Sequence, residues 1–475
     1  MAHPLEPGPS EMRALGRAAV DFLAEFVQGL PEAAAVDLDG ALEVARRVRE
    51  PAPEEGRPFD SMLETIDLGA AKAFNTTGPG YLAFIPGGGL FSAAVADFLA
   101  AGVNRFVNVW NAAPVFAQIE ATVIRWLCDL FGYPDDAGGI LTSGGSMSIF
   151  SAIVTARHEK LPEDFLRGTL YVSEHAHAAV AKAAVLAGFP AANVRVVDCL
   201  PDLAIDVERL DRTIAEDRAA GRQPFLMVAN AGTTNTGRVD PITAMADLAE
   251  REGVWLHVDA AYGGPFQLTE RGRSLFDGIE RSDSLTLDPH KAMFLPYGTG
   301  SLLVRSGAML REAHQVEAHY LQDLAPEDEI PNFADYSPEL SRDFRGMRVW
   351  LPIKLHGLAA FREALDEKLD LARFVYEELR ATPGFELPWD PDLTVVPFRY
   401  RPRISGPSTD ADADGDEFNR RLLARINASK RVFLSSTMID GRFVLRVCIV
   451  SHRTHRDRVE EAVEIIRSAA LDLDR

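Results

Sequence analysis

The chain has 475 residues, of which 47% are hydrophobic and 25% charged, a composition typical of a globular protein with a sizeable core. The formal net charge of −21 and the sequence pI near 5.0 oppose binding to nucleic acid or to an anionic membrane surface. The apolar stretches are too short to span a bilayer, and the N-terminus lacks a secretory pattern, so we expect a cytoplasmic protein.

The first predicted element is an amphipathic helix over residues 10–30, with Ser10 available as its N-cap. Its apolar stripe consists of Met12, Leu15, Ala19, Phe22, Phe26 and Leu30. The sequence leaves open whether this stripe packs against the same chain or against a second subunit.

From about residue 140, short apolar runs alternate with helical stretches, and this pattern predicts an α/β fold with a mostly parallel sheet covered on both faces. We divide the chain into an N-terminal helical segment (1–84), a large α/β domain (85–357) and a small C-terminal α+β domain (358–475). The acidic run DADADGDE, residues 410–417, resembles the start of a calcium loop. Position twelve of that loop is Arg421 where calcium needs a Glu, so we expect a solvated acidic loop.

The three cysteines, Cys128, Cys199 and Cys448, lie far apart in the sequence. They form neither a CxxC motif nor any other metal-ligand spacing. We expect reduced, structural cysteines and no metal site.

A lysine suited to covalent chemistry lies in LTLDPHKAMFLPYGTG, residues 285–300, where an apolar run ends in a polar cluster. An amine condenses with an aldehyde only when it is neutral, and desolvation or a neighbouring cation favours that form. Lys291 is placed for this role, although a lone lysine after a strand is more often solvated surface.

An acidic residue follows a second apolar strand, in VWLHVDAAYGG, residues 254–264. Asp259 should project from the edge of the sheet where α/β proteins bind ligands. It suits the acid partner that a pyridine-ring cofactor needs, although such an Asp can also act as a helix N-cap.

A strand, two glycines and a helix follow one another in ILTSGGSMSIFSAI. Gly144, Gly145 and Ser146 would let backbone N–H groups at a helix N-terminus approach a phosphate. The motif lacks the Walker lysine and the GxGxxG spacing of nucleotide sites. His177 follows the next strand, where an imidazole can stack on a planar cofactor and carry a proton.

Together, and in this order, these motifs resemble those of the group II pyridoxal-phosphate-dependent decarboxylases, the family of the aromatic-L-amino-acid decarboxylases. The resemblance runs from the N-terminal helix to residues near 465. It implies the fold of the PLP-dependent transferases (fold type I), pyridoxal 5'-phosphate (PLP) as cofactor, and a homodimer with active sites at the subunit interface.

The resemblance also implies roles for individual residues. The catalytic set is Lys291 as the Schiff-base lysine, Asp259 as the partner of the pyridinium nitrogen, His177 as the ring-stacking residue and Tyr336 as the proton donor. The cofactor site also includes Gly145, Ser146, Thr234, Ala261 and His290. The substrate site consists of Phe84, Ile85, Pro86, Phe106 from the second subunit, and Arg446 for the substrate carboxylate.

These implied substrate residues are mostly apolar, which favours an aromatic amino acid over glutamate or aspartate. Ser341 occupies a position where plant relatives carry Ser for phenolic substrates, which favours tyrosine, DOPA or phenylalanine over tryptophan. Asp288 stands where the animal members have Asn near the phosphate. Ala292, Gly87 and Asn108 also depart from the animal members.

The expected reaction is decarboxylation of an L-amino acid to the amine and CO2. Three alternatives stay open: another PLP reaction on the same fold, an aldehyde synthase, and a binding module without catalysis. The presence of Tyr336 and His177 favours the decarboxylase over the aldehyde synthase, and the presence of Lys291 and Asp259 disfavours the binding module.

Overall fold

The computed structural model describes residues 5–85, 87–315, 330–403 and 411–475. The helices are α1 (Pro9–Gly29), α2 (Ala41–Arg47), α3 (Phe59–Ala71), α4 (Phe91–Val103), α5 (Pro114–Leu130), α6 (Gly145–Lys160), α7 (Ala179–Leu186), α8 (Val207–Ala219), α9 (Ile242–Glu252), α10 (Glu270–Leu275), α11 (Gly307–His314), α12 (Gly346–Arg380), α13 (Ala411–Asn427) and α14 (Arg456–Leu473). The strands are β1 (Tyr81–Leu82), β2 (Gly138–Thr142), β3 (Gly168–Ser173), β4 (Val194–Val197), β5 (Gln223–Asn230), β6 (Trp255–Asp259), β7 (Ser284–Leu287), β8 (Gly300–Val304), β9 (Phe385–Glu386), β10 (Val395–Tyr400), β11 (Phe433–Ile439) and β12 (Arg442–Cys448).

Seven strands form a large sheet in the middle of the chain, in the order β2-β8-β7-β6-β5-β3-β4. The pairings that link β7, β6, β5, β3 and β4 are parallel, whereas β8 lies antiparallel to both of its neighbours. The last six residues of β5 are all buried, as expected for a strand covered on both faces. The predicted mostly parallel sheet is confirmed.

The carboxyl ends of several strands meet at one edge of this sheet. Asp259 ends β6 and lies in register with Asn230, the last residue of β5, and with Thr286 of β7. Because β2 and β7 are both antiparallel to β8, β2 runs in the same direction as β7 and also ends at this edge. The turn from β2 into α6 therefore faces the ends of β5 and β6.

A second sheet, in the order β1-β11-β12-β10-β9, forms most of the C-terminal part of the chain. Its core is separate from that of the large sheet and includes Leu445, Val447 and Ile466. The short strand β1 belongs to the segment before residue 85, and it pairs in parallel with β11 through Tyr81 and Phe433. The N-terminal segment thus extends the C-terminal sheet.

The prediction of an acidic loop at residues 410–417 was wrong, because residues 411–417 form the start of α13. Asp410 lies outside the described residues. The helix forms because Phe418, Leu422 and Ile426 repeat at helical spacing and are buried in the C-terminal core. Asp416 accepts a hydrogen bond from the backbone N–H of Phe443 at 2.9 Å. The acidic residues hid this apolar periodicity from the sequence interpretation.

The first helix is confirmed, but it begins at Pro9 with Gly8 as its N-cap, so Ser10 lies inside the helix and is not its cap. In the described part of the chain, no residue of α1 is buried. The exposed fraction is 56% for Met12 and 51% for Val20. Within the described residues of one chain, the apolar stripe of α1 is therefore not packed against another element that buries it.

The long helix α12 is interrupted at Gly357, whose φ of 74° and ψ of 157° are not helical. A side chain disfavours this positive φ, so glycine suits the break. The proposed division of the chain at residue 357 falls here and stays a prediction. Among the described residues we find no helix whose length and hydropathy would suit a membrane span.

Candidate active site

A cavity of about 320 Å³ lies at the carboxyl edge of the large sheet. The ends of β5 and β6, the first turn of α6 and the turn after β7 form its walls. It is lined by all eight residues assigned to the cofactor from the sequence: Gly145, Ser146, His177, Thr234, Asp259, Ala261, His290 and Lys291. Residues separated by up to 146 positions in the chain thus meet in one cavity.

The first wall is the turn from β2 into α6. Gly144 has a φ of 152°, and a Cβ there would lie 3.2 Å from the His290 ring. A Cβ on Gly145 would lie 2.9 Å from Oδ2 of Asp288. Both positions therefore favour glycine, which leaves the N–H groups of the first turn of α6 accessible to an anion.

Near this turn, Lys291 contributes its side chain to the lining of the cavity. Its Nζ lies 3.0 Å from Oδ2 of Asp288, and the Lys291 side chain is 20% exposed. His290 donates from Nδ1 to the backbone carbonyl of Thr299 at 2.6 Å, which leaves Nε2 towards the cavity. Burial lowers the pKa of His290, so its ring is neutral at neutral pH.

The third wall carries Asp259, which is 8% exposed at the end of β6. Its Oδ1 accepts a hydrogen bond from the backbone N–H of Ala261 at 3.1 Å. Burial raises the pKa of the Asp259 carboxyl, and the nearby Lys291 ammonium lowers it less strongly. A buried carboxylate of this kind is stabilised by a cationic N–H group placed against it.

His177 lies before the first turn of α7 and faces the same cavity. Its Nδ1 accepts a hydrogen bond from the backbone N–H of Ala179 at 3.2 Å, so Nε2 carries the proton of the neutral ring. The ring is exposed, and a planar molecule in the cavity would cover it.

The sequence interpretation missed Asn230, which ends β5 and also lines the cavity. Its Nδ2 donates to the buried Asp240 at 2.7 Å and to Ser173 Oγ at 3.2 Å. Because it is the last residue of a buried parallel strand, its position at the ligand edge could have been predicted.

A comparison with protein families matches residues 43–401 to the pyridoxal-dependent decarboxylase conserved domain. The chain belongs to the pyridoxal-dependent decarboxylase family. It is 36% identical to an aromatic-L-amino-acid decarboxylase of Bacillus atrophaeus over 476 residues, 99% of this chain and 98% of that one. It is 28% identical to tyrosine decarboxylase 2 of Arabidopsis thaliana, over 98% of this chain and 88% of that one.

Among solved structures, Oryza sativa TDC with PLP and tryptamine superposes with a TM-score of 0.93 at 26% identity, covering both chains completely. The expected fold type I is confirmed. The present chain, as a member of this family, uses PLP as its cofactor, and the residues that line the Lys291 cavity fit that molecule. The first turn of α6 suits the phosphate, the Lys291 amine suits the aldehyde, and the buried Asp259 suits the ring nitrogen.

Tyr336, the expected proton donor of this decarboxylase, lies elsewhere. It lines a second cavity of about 750 Å³, between α5, α11 and the segment before α12. Burial raises the pKa of the Tyr336 phenol, which keeps its proton in place at neutral pH. Within one chain, Tyr336 and Lys291 therefore line different cavities.

A buried ion pair anchors the segment that carries Tyr336. The side chains of Arg342 and of Glu120 in α5 are both fully buried, and they approach to 2.6 Å. The Arg342 guanidinium also lies 5.1 Å from the ring centroid of Phe333, whose ring neighbours that of Tyr336. This arrangement fixes the position of Tyr336 relative to α5.

The described residues among those assigned to the substrate, Phe84, Ile85, Phe106 and Arg446, are likewise outside the lining of the Lys291 cavity. Phe84 is 49% exposed and Phe106 is 43% exposed. Ile85 is half-buried beside Phe84, and Pro86 lies outside the described residues. These substrate roles stay predictions.

Arg446 is 4% exposed and is already engaged by the protein. Its Nη1 donates to the backbone carbonyls of Thr234 at 2.6 Å and Asn235 at 3.1 Å, and its Nη2 donates to Ser435 Oγ at 3.0 Å. In this structure Arg446 therefore supports the turn that carries Thr234. Its role towards a substrate carboxylate stays a prediction.

Cys199 lies near two other groups that can bind metals, although the sequence spacing did not indicate this. Ligand atoms of Cys199, His175 and Glu174 lie within 4.8 Å of one another. Burial raises the pKa of the Cys199 thiol to about 12, which disfavours the thiolate that a metal would need. We therefore interpret this cluster as structural.

Proposed function

We propose that this decarboxylase acts on an aromatic L-amino acid and releases the corresponding amine and CO2. The observation that carries the proposal is the 36% identity, over nearly the whole chain, to a relative named for this activity. Apolar Phe84, Ile85 and Phe106 support it, since a substrate with a second carboxylate would need a cation near its side chain.

Among aromatic substrates, Ser341 favours the phenolic or phenyl amino acids tyrosine, DOPA and phenylalanine. It lies next to Arg342, so the buried pair between Arg342 and Glu120 fixes its backbone. A hydroxyl at this position can exchange a hydrogen bond with the phenol of tyrosine or DOPA. Phenylalanine is grouped with them by the resemblance alone.

When bound, PLP accepts the electron pair that the departing carboxylate leaves at the α-carbon. Asp259 would hold a proton on the ring nitrogen and so maintain that capacity. His177 would stack on the ring and shield it from water. Lys291 would hold the cofactor covalently until a substrate amine binds.

Tyr336 then donates a proton to the α-carbon, which yields the amine. Because Tyr336 and Lys291 line different cavities within one chain, we infer that Tyr336 serves the Lys291 cavity of a second subunit. The chain therefore acts as a homodimer.

Exposed apolar side chains support this homodimer. They include Met12 and Val20 on α1 and Phe98, which is 70% exposed, on α4. An amphipathic helix with no buried residue favours contact with another protein surface, and a second copy of the chain is the partner that would also complete the site. Sedimentation of the purified protein tests the stoichiometry.

A panel of amino acids tests the substrate. The holoenzyme is incubated with tyrosine, DOPA, phenylalanine, tryptophan and glutamate, and CO2 and amine are both measured. We expect release from the aromatic amino acids, fastest with the phenolic or phenyl ones. Release from glutamate alone would contradict the proposal, and aldehyde with peroxide in place of amine would favour the aldehyde synthase. The cytoplasmic location stays a prediction that cell fractionation tests.

A further inference from the structure

Asp288 is a buried carboxylate whose position the reaction described above does not explain. Its side chain is 2% exposed, and it lies three residues before Lys291 in a tight turn closed by a hydrogen bond from Lys291 N to the Asp288 carbonyl at 2.9 Å. This turn places the carboxylate and the Lys291 amine on the same side, at 3.0 Å. The amine of the cofactor-free protein thus has an anionic partner.

The rest of the carboxylate is enclosed by glycines. A Cβ on Gly145 would lie 2.9 Å from Oδ2, and a Cβ on Gly300 would lie 2.7 Å from Oδ1. The absence of side chains at both positions makes room for this carboxylate against the first turn of α6. Asp288 therefore shares with the phosphate site the same positive helix terminus.

The charge of Asp288 is poorly balanced without Lys291. Among the described residues, Oδ1 of Asp288 is buried without a hydrogen-bond partner. The His290 ring is 3.7 Å from Oδ2, but burial lowers the pKa of His290 and keeps it neutral. Asp259, a second carboxylate, lines the same cavity.

We propose that Asp288 pairs with the free Lys291 amine and that its carboxylate opposes the phosphate of the cofactor, so that Asp288 limits how tightly this chain holds PLP. When the Lys291 amine condenses with the aldehyde and releases water, Asp288 would lose its ammonium partner. A phosphate bound at the same helix terminus would then face this carboxylate. Two anions in a buried site repel each other strongly. The supply of PLP would consequently control the active fraction of the enzyme.

The test compares two aldehydes that differ only in the phosphate, PLP and pyridoxal. Cofactor-free wild type, Asp288→Asn and Asp288→Ala are titrated with each, and binding is followed by protein fluorescence and by the absorbance of the lysine-bound cofactor. Asp277→Asn, an exposed position, controls for the loss of one negative charge. Unfolding midpoints establish that each variant is folded.

We expect the ratio of PLP affinity to pyridoxal affinity to rise by about tenfold in both Asp288 variants and to stay constant in Asp277→Asn. An unchanged or lower ratio in either folded Asp288 variant would overturn the proposal. In particular, a rise in Asp288→Asn alone would assign the effect to a new amide donor and not to charge. Because no substrate is present, this result is independent of the proposed aromatic specificity.

Discussion

The Lys291 cavity and the Tyr336 cavity are both lined by residues of one chain, yet they differ in which reactive groups each contains. The first contains an amine, a buried carboxylate, an exposed imidazole and a helix N-terminus around one space of about 320 Å³. The second contains the expected proton donor but not the lysine it must serve. One chain therefore brings together the residues assigned to the cofactor, whereas the proposed return of a proton by Tyr336 calls for a second copy.

The two cavities also differ in their electrostatics. Near Lys291, the carboxylates of Asp259 and Asp288 share one ammonium group. Near Tyr336, the buried side chains of Arg342 and Glu120 approach to 2.6 Å within one chain. The first arrangement is suited to receive a charged ligand, and the second to hold a segment in place.

The largest expected loss of activity comes from removing the side-chain amine of Lys291. In Lys291→Ala, we expect CO2 release to fall by about a thousandfold or more, since the covalent link to the cofactor is lost. Borohydride treatment and mass spectrometry of the peptide that contains residue 291 should show a reduced cofactor adduct in wild type and none in the variant. Lys182→Ala, an exposed lysine on α7, should behave as wild type. An adduct on another lysine would remove Lys291 from this role.

A large loss of activity is also expected when Asp259, which lines the same cavity, is replaced. Asp259→Asn should lower kcat by about a hundredfold or more, because an amide does not stabilise the charged ring nitrogen. Cofactor binding should persist, as the phosphate cradle and Lys291 are unchanged; this is checked by absorbance of the dialysed protein. Equal kcat values in variant and wild type would contradict the assignment of Asp259.

An intermediate effect is expected at the second cavity. Tyr336→Phe should lower amine formation by about a hundredfold while substrate consumption continues, because the carbon atom is no longer protonated and reacts with oxygen. The measurement is the ratio of amine to aldehyde, ammonia and peroxide. Tyr376→Phe, in the C-terminal core, is the control and should leave the ratio unchanged. An unchanged ratio in Tyr336→Phe as well would show that the Tyr336 phenol does not donate the proton.

The smallest expected effect is on the free energy of unfolding and comes from His257, a buried residue of β6. Burial lowers the pKa of His257 to about 3, so the folded protein resists a proton that the unfolded chain accepts below about pH 6.5. The free energy of unfolding should therefore fall by about 1.4 kcal/mol per pH unit from this histidine as the pH drops from about 6 to about 4. Urea unfolding should show a shallower pH dependence in His257→Gln than in wild type or in the exposed control His158→Gln. Parallel curves would contradict the assignment.

The sequence predicted the large sheet, and it placed Gly145, His177, Asp259 and Lys291 at one edge of that sheet, because this information is local. Thr234, Ala261 and His290 were assigned by resemblance alone. A buried strand, its last polar residue and the next helix lie within about 15 positions of one another in the motifs around Gly145, His177 and Asp259. The antiparallel strand β8 was not predicted, since its apolar run is like that of a parallel strand. Helix α13 was missed because its acidic first turn hid the apolar repeat of Phe418, Leu422 and Ile426.

The substrate end could not be derived in the same way. Phe84, Phe106 and Tyr336 were assigned by resemblance, and their own sequence patterns contain no signal for the substrate and proton-donor roles that the resemblance implies. Arg446 shows the same limit, since its partners are backbone carbonyls of a turn more than 200 positions away. Such contacts depend on tertiary and quaternary packing, which residue spacing does not encode.

The most direct test of the account mixes two inactive variants, Lys291→Ala and Tyr336→Phe, under conditions that let subunits exchange. If Tyr336 serves the lysine of the partner, half of the dimers after random exchange contain one intact site, and amine formation returns to about a quarter of the wild-type rate. If both residues must lie in the same chain, the mixture stays as inactive as its two components, and the inferred arrangement of the dimer is contradicted.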